Sequence, residues 1–198
     1  MRHRIGPVKT APLSVLHTIA DHYQRDARDF LERFNVLWEA QLHKTGRIKS
    51  FVDLLLACEC TLKCHIVLGR TSDDPITVYK EVRRFAHDIG ALAAAASYLQ
   101  DKDRYAVIEQ RLAPFSVFIR YSLDAYETFF PSNLDRGDAL IDYSKSIGNN
   151  PWVLECRDLV ASLLDATHVE FQGFVATDLT ALLQHECDMQ IFAEKYVK

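Results

Sequence analysis

Four charged or titratable side chains lie in or next to the most apolar part of the sequence. Glu59 and Lys63 are four residues apart in a stretch of leucines and cysteines, and His87 and Asp88 precede a second apolar run. Charged groups in such surroundings need partners, because burying them unpaired is costly. One interpretation is functional, in which Glu59 and His87 converge in a cleft with a nearby arginine. There the carboxylate would fix the tautomer of the imidazole, which suits general acid–base chemistry on a phosphodiester.

A phosphodiester site also needs a positive group, and Arg83 and Arg84 are the nearest arginines to His87 in the sequence. A guanidinium holds a phosphate through two parallel hydrogen bonds. The alternative, which the residue types alone favour, is structural. In that interpretation Glu59 and Lys63 form a helix-surface pair, Asp88 caps a helix, and His87 is a polar boundary residue.

The cysteines permit two further kinds of chemistry. Cys60 and Cys64 lie one helical turn apart and His65 follows, so a zinc site with a second half at His185-Glu186-Cys187-Asp188 is conceivable. A Cys–His nucleophile pair with His87 is another possibility. Buried free cysteines are common small hydrophobes in helical cores, and reactive ones favour helix N-termini. We therefore predict neither a metal site nor a nucleophilic cysteine, and no cofactor, since the glycines form no phosphate loop.

The composition is that of an ordinary globular protein. The 198 residues are 48% hydrophobic and 25% charged, with a formal net charge of -4, which argues against a surface coated with phosphate-binding groups. No apolar N-terminal segment is present, and charges interrupt the longest apolar stretch, 51–68. With three of five cysteines crowded together, we predict a cytoplasmic protein with reduced thiols and no membrane partner.

Helical periodicity runs through the whole sequence, and no segment alternates like a strand. We predict an all-α fold in a single domain, 1–198. The first expected helix covers about 12–42 and is broken by Thr45-Gly46-Arg47, and a central helix runs from a Ser50 cap to a left-handed Gly69. A third helix starts at Asp74-Pro75, a fourth is capped by Asp88 and covers 89–99, and a fifth starts at Arg104, with Pro114 as a kink or a new start. The last two run from Asn150-Pro151 to about Glu170 and from a Thr177 cap onward.

The order of these motifs resembles that of the bacterial HEPN domain. The resemblance rests on Glu59-Cys60-Thr61-Leu62-Lys63-Cys64, then His87-Asp88-Ile89 with Leu92, then Phe118-Ile119-Arg120-Tyr121. That family typically shows a Glu-x-x-x-Lys helix, a His-Asp-Leu after a loop and an Arg-Tyr pair near the fourth helix. The similarity covers about Ser50 to Phe130. By this resemblance, residues 12–130 would form a HEPN-like antiparallel bundle and residues 134–198 a helical extension. We expect the extension to share one core with the bundle.

The resemblance implies a module that is often dimeric. Many members are ribonucleases of toxin–antitoxin or phage-defence systems, and others are partner-binding or nucleotide-binding modules without nuclease activity. The nuclease signature is an Arg followed by a His after four to six residues, whereas three residues separate Arg83 from His87.

We therefore predict a non-catalytic interaction or nucleotide-binding module that acts through dimerisation or a partner protein. The alternative is a metal-independent ribonuclease with a variant site. Its catalytic candidates are Glu59, His87, Arg84 and Arg120, and the binding candidates are Lys63, Asp88, Arg83 and Tyr121.

Overall fold

The computed structural model describes residues 14–41, 43–130, 141–171 and 178–196. Within these ranges the chain is helical and contains no strand, which confirms the all-α prediction. The helices are α1 (Val15–Ala40), α2 (Lys44–Leu68), α3 (Pro75–Arg84), α4 (Ile89–Ala95), α5 (Asp103–Leu112), a 3-10 turn (Val117–Arg120), α6 (Ser122–Phe129), α7 (Asn150–Ala166), α8 (His168–Phe171) and α9 (Leu179–Tyr196).

Helix α2 is the centre of the bundle, as its nearly continuous apolar sequence predicts. Residues on all its faces are buried, including Phe51, Leu55 and Leu62. The amphipathic α1 packs along it with a single buried stripe that contains Leu16, Ala20, Ala27, Phe34 and Trp38. Helix α7 contributes Val153, Cys156, Val160 and Leu163 to the same hydrophobic cluster.

The beginning of α2 differs from the prediction. The helix starts at Lys44, so Thr45-Gly46-Arg47 forms its first turn, and Ser50 donates its hydroxyl to the Gly46 carbonyl (3.1 Å) inside the helix. Burial of Ile48 and Phe51 against the core outweighs the weak helix propensity of this segment. A Cβ at Gly46 would lie 2.1 Å from Oε1 of Gln41, so a larger residue there would displace the end of this flexible side chain.

Gly69 ends α2 as predicted, but without the left-handed conformation. Its φ of -71° is open to any residue. A Cβ at this position would lie 2.3 Å from Ser97 Oγ and 3.2 Å from the Ser97 carbonyl carbon. The glycine therefore allows the end of α2 to approach the segment after α4.

Two aspartate caps position the short helices around the candidate residues. Asp74 accepts a hydrogen bond from the Thr77 backbone (2.9 Å) at the start of α3, and Asp88 accepts one from Ala91 (2.9 Å) at the start of α4. Both caps confirm the sequence prediction. Helix α4 ends at Ala95, earlier than the predicted Leu99.

The cap of α7 is Asn149, one residue before the predicted Asn150. The physical reason lies in a tertiary contact, because the Asn150 side chain accepts a hydrogen bond from the Trp38 indole (2.8 Å) and is thereby held away from the helix end. Helix α7 ends at Ala166 rather than near Glu170. The predicted Thr177 cap lies outside the described residues.

His65 connects three helices in the interior. Its Nε2–H donates to the Leu163 carbonyl (3.0 Å) in α7, which leaves Nδ1 to accept from the Tyr105 hydroxyl (2.6 Å) in α5. The Tyr105 oxygen in turn accepts from the Leu99 backbone N–H (3.0 Å). Burial lowers the pKa of His65 to about 4. This histidine is therefore a neutral structural residue at neutral pH.

Candidate functional site

Glu59 joins α2 to the α3–α4 turn through two short hydrogen bonds. Its Oε1 accepts from the Lys63 ammonium (2.6 Å), and its Oε2 accepts from His87 Nδ1 (2.7 Å). The Glu59 residue is only 5% exposed, so both partners are needed to compensate the buried carboxylate. The structure thus brings together Glu59 and His87, the two residues that the functional interpretation of the sequence pairs.

His87 is presented to solvent by a constrained turn. Helix α3 ends at Arg84, and Ala86 has a φ of +48°, a left-handed conformation that costs a non-glycine residue about 1 kcal/mol or more. Asp88 then caps α4, so the turn is fixed on both sides of the histidine. The side chain of His87 is 48% exposed. Because Glu59 occupies Nδ1, Nε2 is the nitrogen available to a ligand.

Tyr23 of α1 lies between this cluster and α3. The Lys63 ammonium is 5.9 Å from the centre of its ring. Burial raises the pKa of Tyr23 well above its usual range, nearby Tyr79, Cys60 and Glu59 add to the effect, and the charge of Arg83 opposes it. Tyr23 is thus a permanently protonated hydroxyl that lies within electrostatic range of both Glu59 and Arg83.

A cleft opens between the C-terminal ends of α3 and α9. Its volume is about 390 Å³, and it is lined by two tyrosines and four cationic side chains: Tyr79, Tyr196, Lys80, Arg83, Arg84 and Lys195. No carboxylate is among its lining residues, and none of the four cations lies within 4 Å of a carboxylate of the described residues. Within the part of the chain that the structure describes, the cleft is therefore a concentration of positive charge with no carboxylate at ion-pair distance.

The aromatic rings of the cleft are held in fixed positions. The Arg83 guanidinium lies 5.7 Å from the centre of the Tyr79 ring, and the Lys80 ammonium lies 4.9 Å from that of Tyr196. Tyr79 also packs edge-on against Phe192 of α9 at 5.1 Å. The cations at these helix ends additionally stabilise the helix dipoles.

Arg120 and Tyr121 do not join the Glu59–His87 cluster. The Arg120 guanidinium stacks over the Tyr121 ring (4.9 Å), and both residues line a separate groove of about 720 Å³. In the 3-10 turn Val117 and Ile119 point into the core, which leaves Arg120 exposed. In the same region Arg33 pairs with the buried Asp53 at 3.3 Å.

The remaining candidates have the following positions. Lys63 is engaged by Glu59, and Asp88 is engaged as the α4 cap, so neither is free for a ligand. Arg83 and Arg84 line the cleft. Tyr23, Lys195 and Tyr196 were not predicted as site residues, because α1 and α9 are far from α3 in sequence. A usable signal was present in α3, where Tyr79, Lys80, Arg83 and Arg84 recur at helical spacing.

Four of the five cysteines are buried in the helical core, and Cys187 is exposed. Cys58, Cys60, Cys64 and Cys156 are buried, and burial raises the pKa of Cys60 to about 12 and that of Cys156 to about 11. These thiols are poor nucleophiles. In the described part of the chain no three His, Cys, Asp or Glu side chains come together as metal ligands.

Comparison with protein-family models, curated proteins and solved structures finds no match to this chain. Among the helices within the described ranges, none is long and apolar enough to cross a membrane.

Proposed function

We propose that this protein is a HEPN-like helical module that binds a phosphate-bearing ligand, a nucleotide or RNA, in the α3–α9 cleft. It acts with a second copy or a partner protein, in a bacterial defence or toxin–antitoxin type system. The observation that supports the proposal is the cleft itself, which is lined by four cationic side chains and two tyrosines, and none of these cations pairs with a carboxylate of the described residues.

The chemistry of the cleft suits such a ligand in two respects. Lysine and arginine side chains bind phosphate oxygens through charge-assisted hydrogen bonds, which are stronger than neutral ones. Tyrosine faces stack on nucleobases without preference for sequence, with a contribution of about 1–3 kcal/mol per base. The local charge therefore attracts an anion even though the whole chain carries a net charge of -4.

His87 does not line the cleft, but it lies in the turn that follows α3, close in sequence to Arg83 and Arg84. It follows Arg83 by four residues, its side chain is 48% exposed, and Glu59 engages its Nδ1. At this position the imidazole forms a hydrogen bond with a phosphate or a ribose hydroxyl. The tight pairing of Glu59 with Lys63 keeps the carboxylate out of contact with the anion.

RNA cleavage is the second candidate function, and the Glu59–His87 hydrogen bond of 2.7 Å is the observation that favours it. His87 Nε2 would take the proton of a 2′-hydroxyl, while Arg84 would stabilise charge on the phosphate. Two observations argue against cleavage. This sequence lacks the Arg-to-His spacing that is typical of the family's nucleases, and Arg120 lies in a different groove. Binding without cleavage is therefore the proposal that we prefer.

Fluorescence anisotropy of a labelled single-stranded RNA tests ligand binding. We expect an Arg83→Ala/Arg84→Ala variant to bind at least about tenfold more weakly, since hydrogen bonds to charged groups contribute roughly 1.5–3 kcal/mol each. Lys145→Ala removes an exposed cation outside the cleft and should bind like the wild type. Unlabelled ATP as competitor separates nucleotide from RNA binding. Equal affinity of the double variant and the wild type would contradict the proposal.

Cleavage is tested on the same RNA in the presence of a chelator. We expect the wild-type protein to leave the RNA intact. Cleavage by the wild type that is lost in His87→Ala would instead establish the second candidate.

A further inference from the structure

A second surface of the molecule combines exposed apolar side chains with unpaired charges. Around the 3-10 turn and α6, Phe118 and Tyr121 are each 52% exposed, Leu123 is 73% exposed and Tyr126 is 44% exposed. Next to them lies the groove of about 720 Å³ between α1, α2 and the 3-10 turn, with Tyr121 on its wall. Exposed apolar residues clustered in this way mark interaction sites.

The groove has an apolar floor and a positive rim. Phe30, Leu37, Val52 and Leu56 line it together with Arg33, Lys49 and Arg120. Its single carboxylate, Asp53, is paired with Arg33 at 3.3 Å. Neither Lys49 nor Arg120 forms an ion pair with a carboxylate of the residues that the structure describes. The rim is therefore left with two uncompensated positive charges.

Helix α6 has the complementary character. Ala125 and Phe129 attach it to the core. Leu123, Tyr126 and Glu127, at i, i+3 and i+4, share the opposite, exposed face, and Asp124 stands beside them. No ion pair engages either acid within the described ranges. Helix α6 thus presents apolar and acidic side chains where the groove offers an apolar floor and basic side chains.

We propose that the occupant of the groove is α6 of a second copy of this chain, in a reciprocal two-fold arrangement. In such an interface each copy supplies one groove and one α6, so the surface must be complementary to itself. A reciprocal exchange requires the groove and α6 to lie side by side on each copy. Tyr121 shows that they do, because it lines the groove and immediately precedes α6. The two surfaces are therefore adjacent on each copy, and a two-fold axis near Tyr121 brings each helix to the opposite groove.

This inference names the partner in the proposed function but is independent of ligand binding, because the groove and the α3–α9 cleft have no lining residue in common. Phe118 also contacts His87 edge-on, with ring centres 6.3 Å apart.

Light scattering after gel filtration of the full chain tests the proposal. We expect a dimer for the wild type. Lys49→Glu/Arg120→Glu, which makes the groove acidic, and Asp124→Lys/Glu127→Lys, which makes α6 basic, should each be monomeric. All four positions are exposed, and circular dichroism verifies that the variants remain helical. Lys145→Glu, at an exposed position outside the groove and α6, is the control and should remain dimeric.

A mixture of the two charge-reversed variants tests directly whether the groove of one copy binds α6 of the other. In the mixed pair an acidic groove meets a basic α6, while the native groove of the other copy meets a native α6. Both halves are then complementary, so we expect a heterodimer to form. A monomeric wild type, or a dimer that neither charge reversal dissociates, would overturn the proposal. Either result would leave ligand binding in the cleft unaffected and separately measurable.

Discussion

Glu59 is the buried carboxylate that joins α2 to the turn between α3 and α4. Its two oxygens hold Lys63 and His87 at 2.6 and 2.7 Å, and the carboxylate is almost fully buried. This pairing could be predicted from the sequence, because a Glu-Lys pair inside an apolar helix demands partners. The position of Arg120 could not, since the direction of a side chain in a short 3-10 turn depends on which neighbours the core buries.

Removal of Lys63 tests the energetic importance of this pairing. Lys63→Ala leaves the buried Glu59 carboxylate without its cation, so we expect the free energy of unfolding to fall by about 3 kcal/mol. Arg25→Ala is the matched control, because Arg25 and Asp21 form another i, i+4 pair at an exposed position. That change should cost less than about 1 kcal/mol. Similar losses in the two variants, measured by urea denaturation, would show that the buried pair has no special role.

At the scale of elements, His65 holds α2, α5 and α7 together. Burial lowers its pKa from 6.5 to about 4 in the folded chain. Above pH 6.5 the histidine is neutral in both states, so its hydrogen bonds stabilise the fold fully. Below that pH the unfolded state takes up the proton first. We expect stability to fall by up to about 3 kcal/mol between pH 6.5 and pH 4 from this group.

The variant His65→Gln isolates the contribution of His65 to the acid dependence of stability, because the glutamine amide retains one donor and one acceptor but does not titrate. Its urea midpoint should change less between neutral pH and pH 4 than that of the wild type. His22→Gln, at an exposed position of α1, is the control and should keep the wild-type acid dependence. An unchanged acid dependence in His65→Gln would exclude His65 as its source.

The helices themselves were predictable where local chemistry determines them, and less so where packing does. Asp74 and Asp88 were identified as caps because a short acceptor before a helix satisfies free backbone N–H groups. The start of α2 was missed because burial of Ile48 and Phe51 extends the helix through a Thr-Gly pair. The α7 cap moved by one residue because Trp38 engages Asn150. Such contacts join residues that are distant in sequence.

At the scale of the whole molecule, the two proposed binding surfaces arise only from the tertiary fold. The α3–α9 cleft requires Lys195 and Tyr196 to lie beside residues more than a hundred positions earlier, and the groove combines α1, α2 and the 3-10 turn. The sequence pointed to Arg83 and Arg84 but not to the two tyrosines, Lys80 and Lys195 that line the cleft with them. The surfaces have no lining residue in common, which allows the molecule to bind a ligand and a second copy simultaneously.

The central claim is that a phosphate-bearing ligand occupies the α3–α9 cleft, and an NMR titration of the ¹⁵N-labelled full chain with ATP tests it most directly. We predict saturable shift changes in the backbone amides of Lys80, Arg83, Arg84, Lys195 and Tyr196, with little change at Lys49 and Tyr121 in the groove. The same titration of Arg83→Ala/Arg84→Ala should give much smaller changes. Shifts confined to the groove, or no shifts in the wild type, would contradict the account.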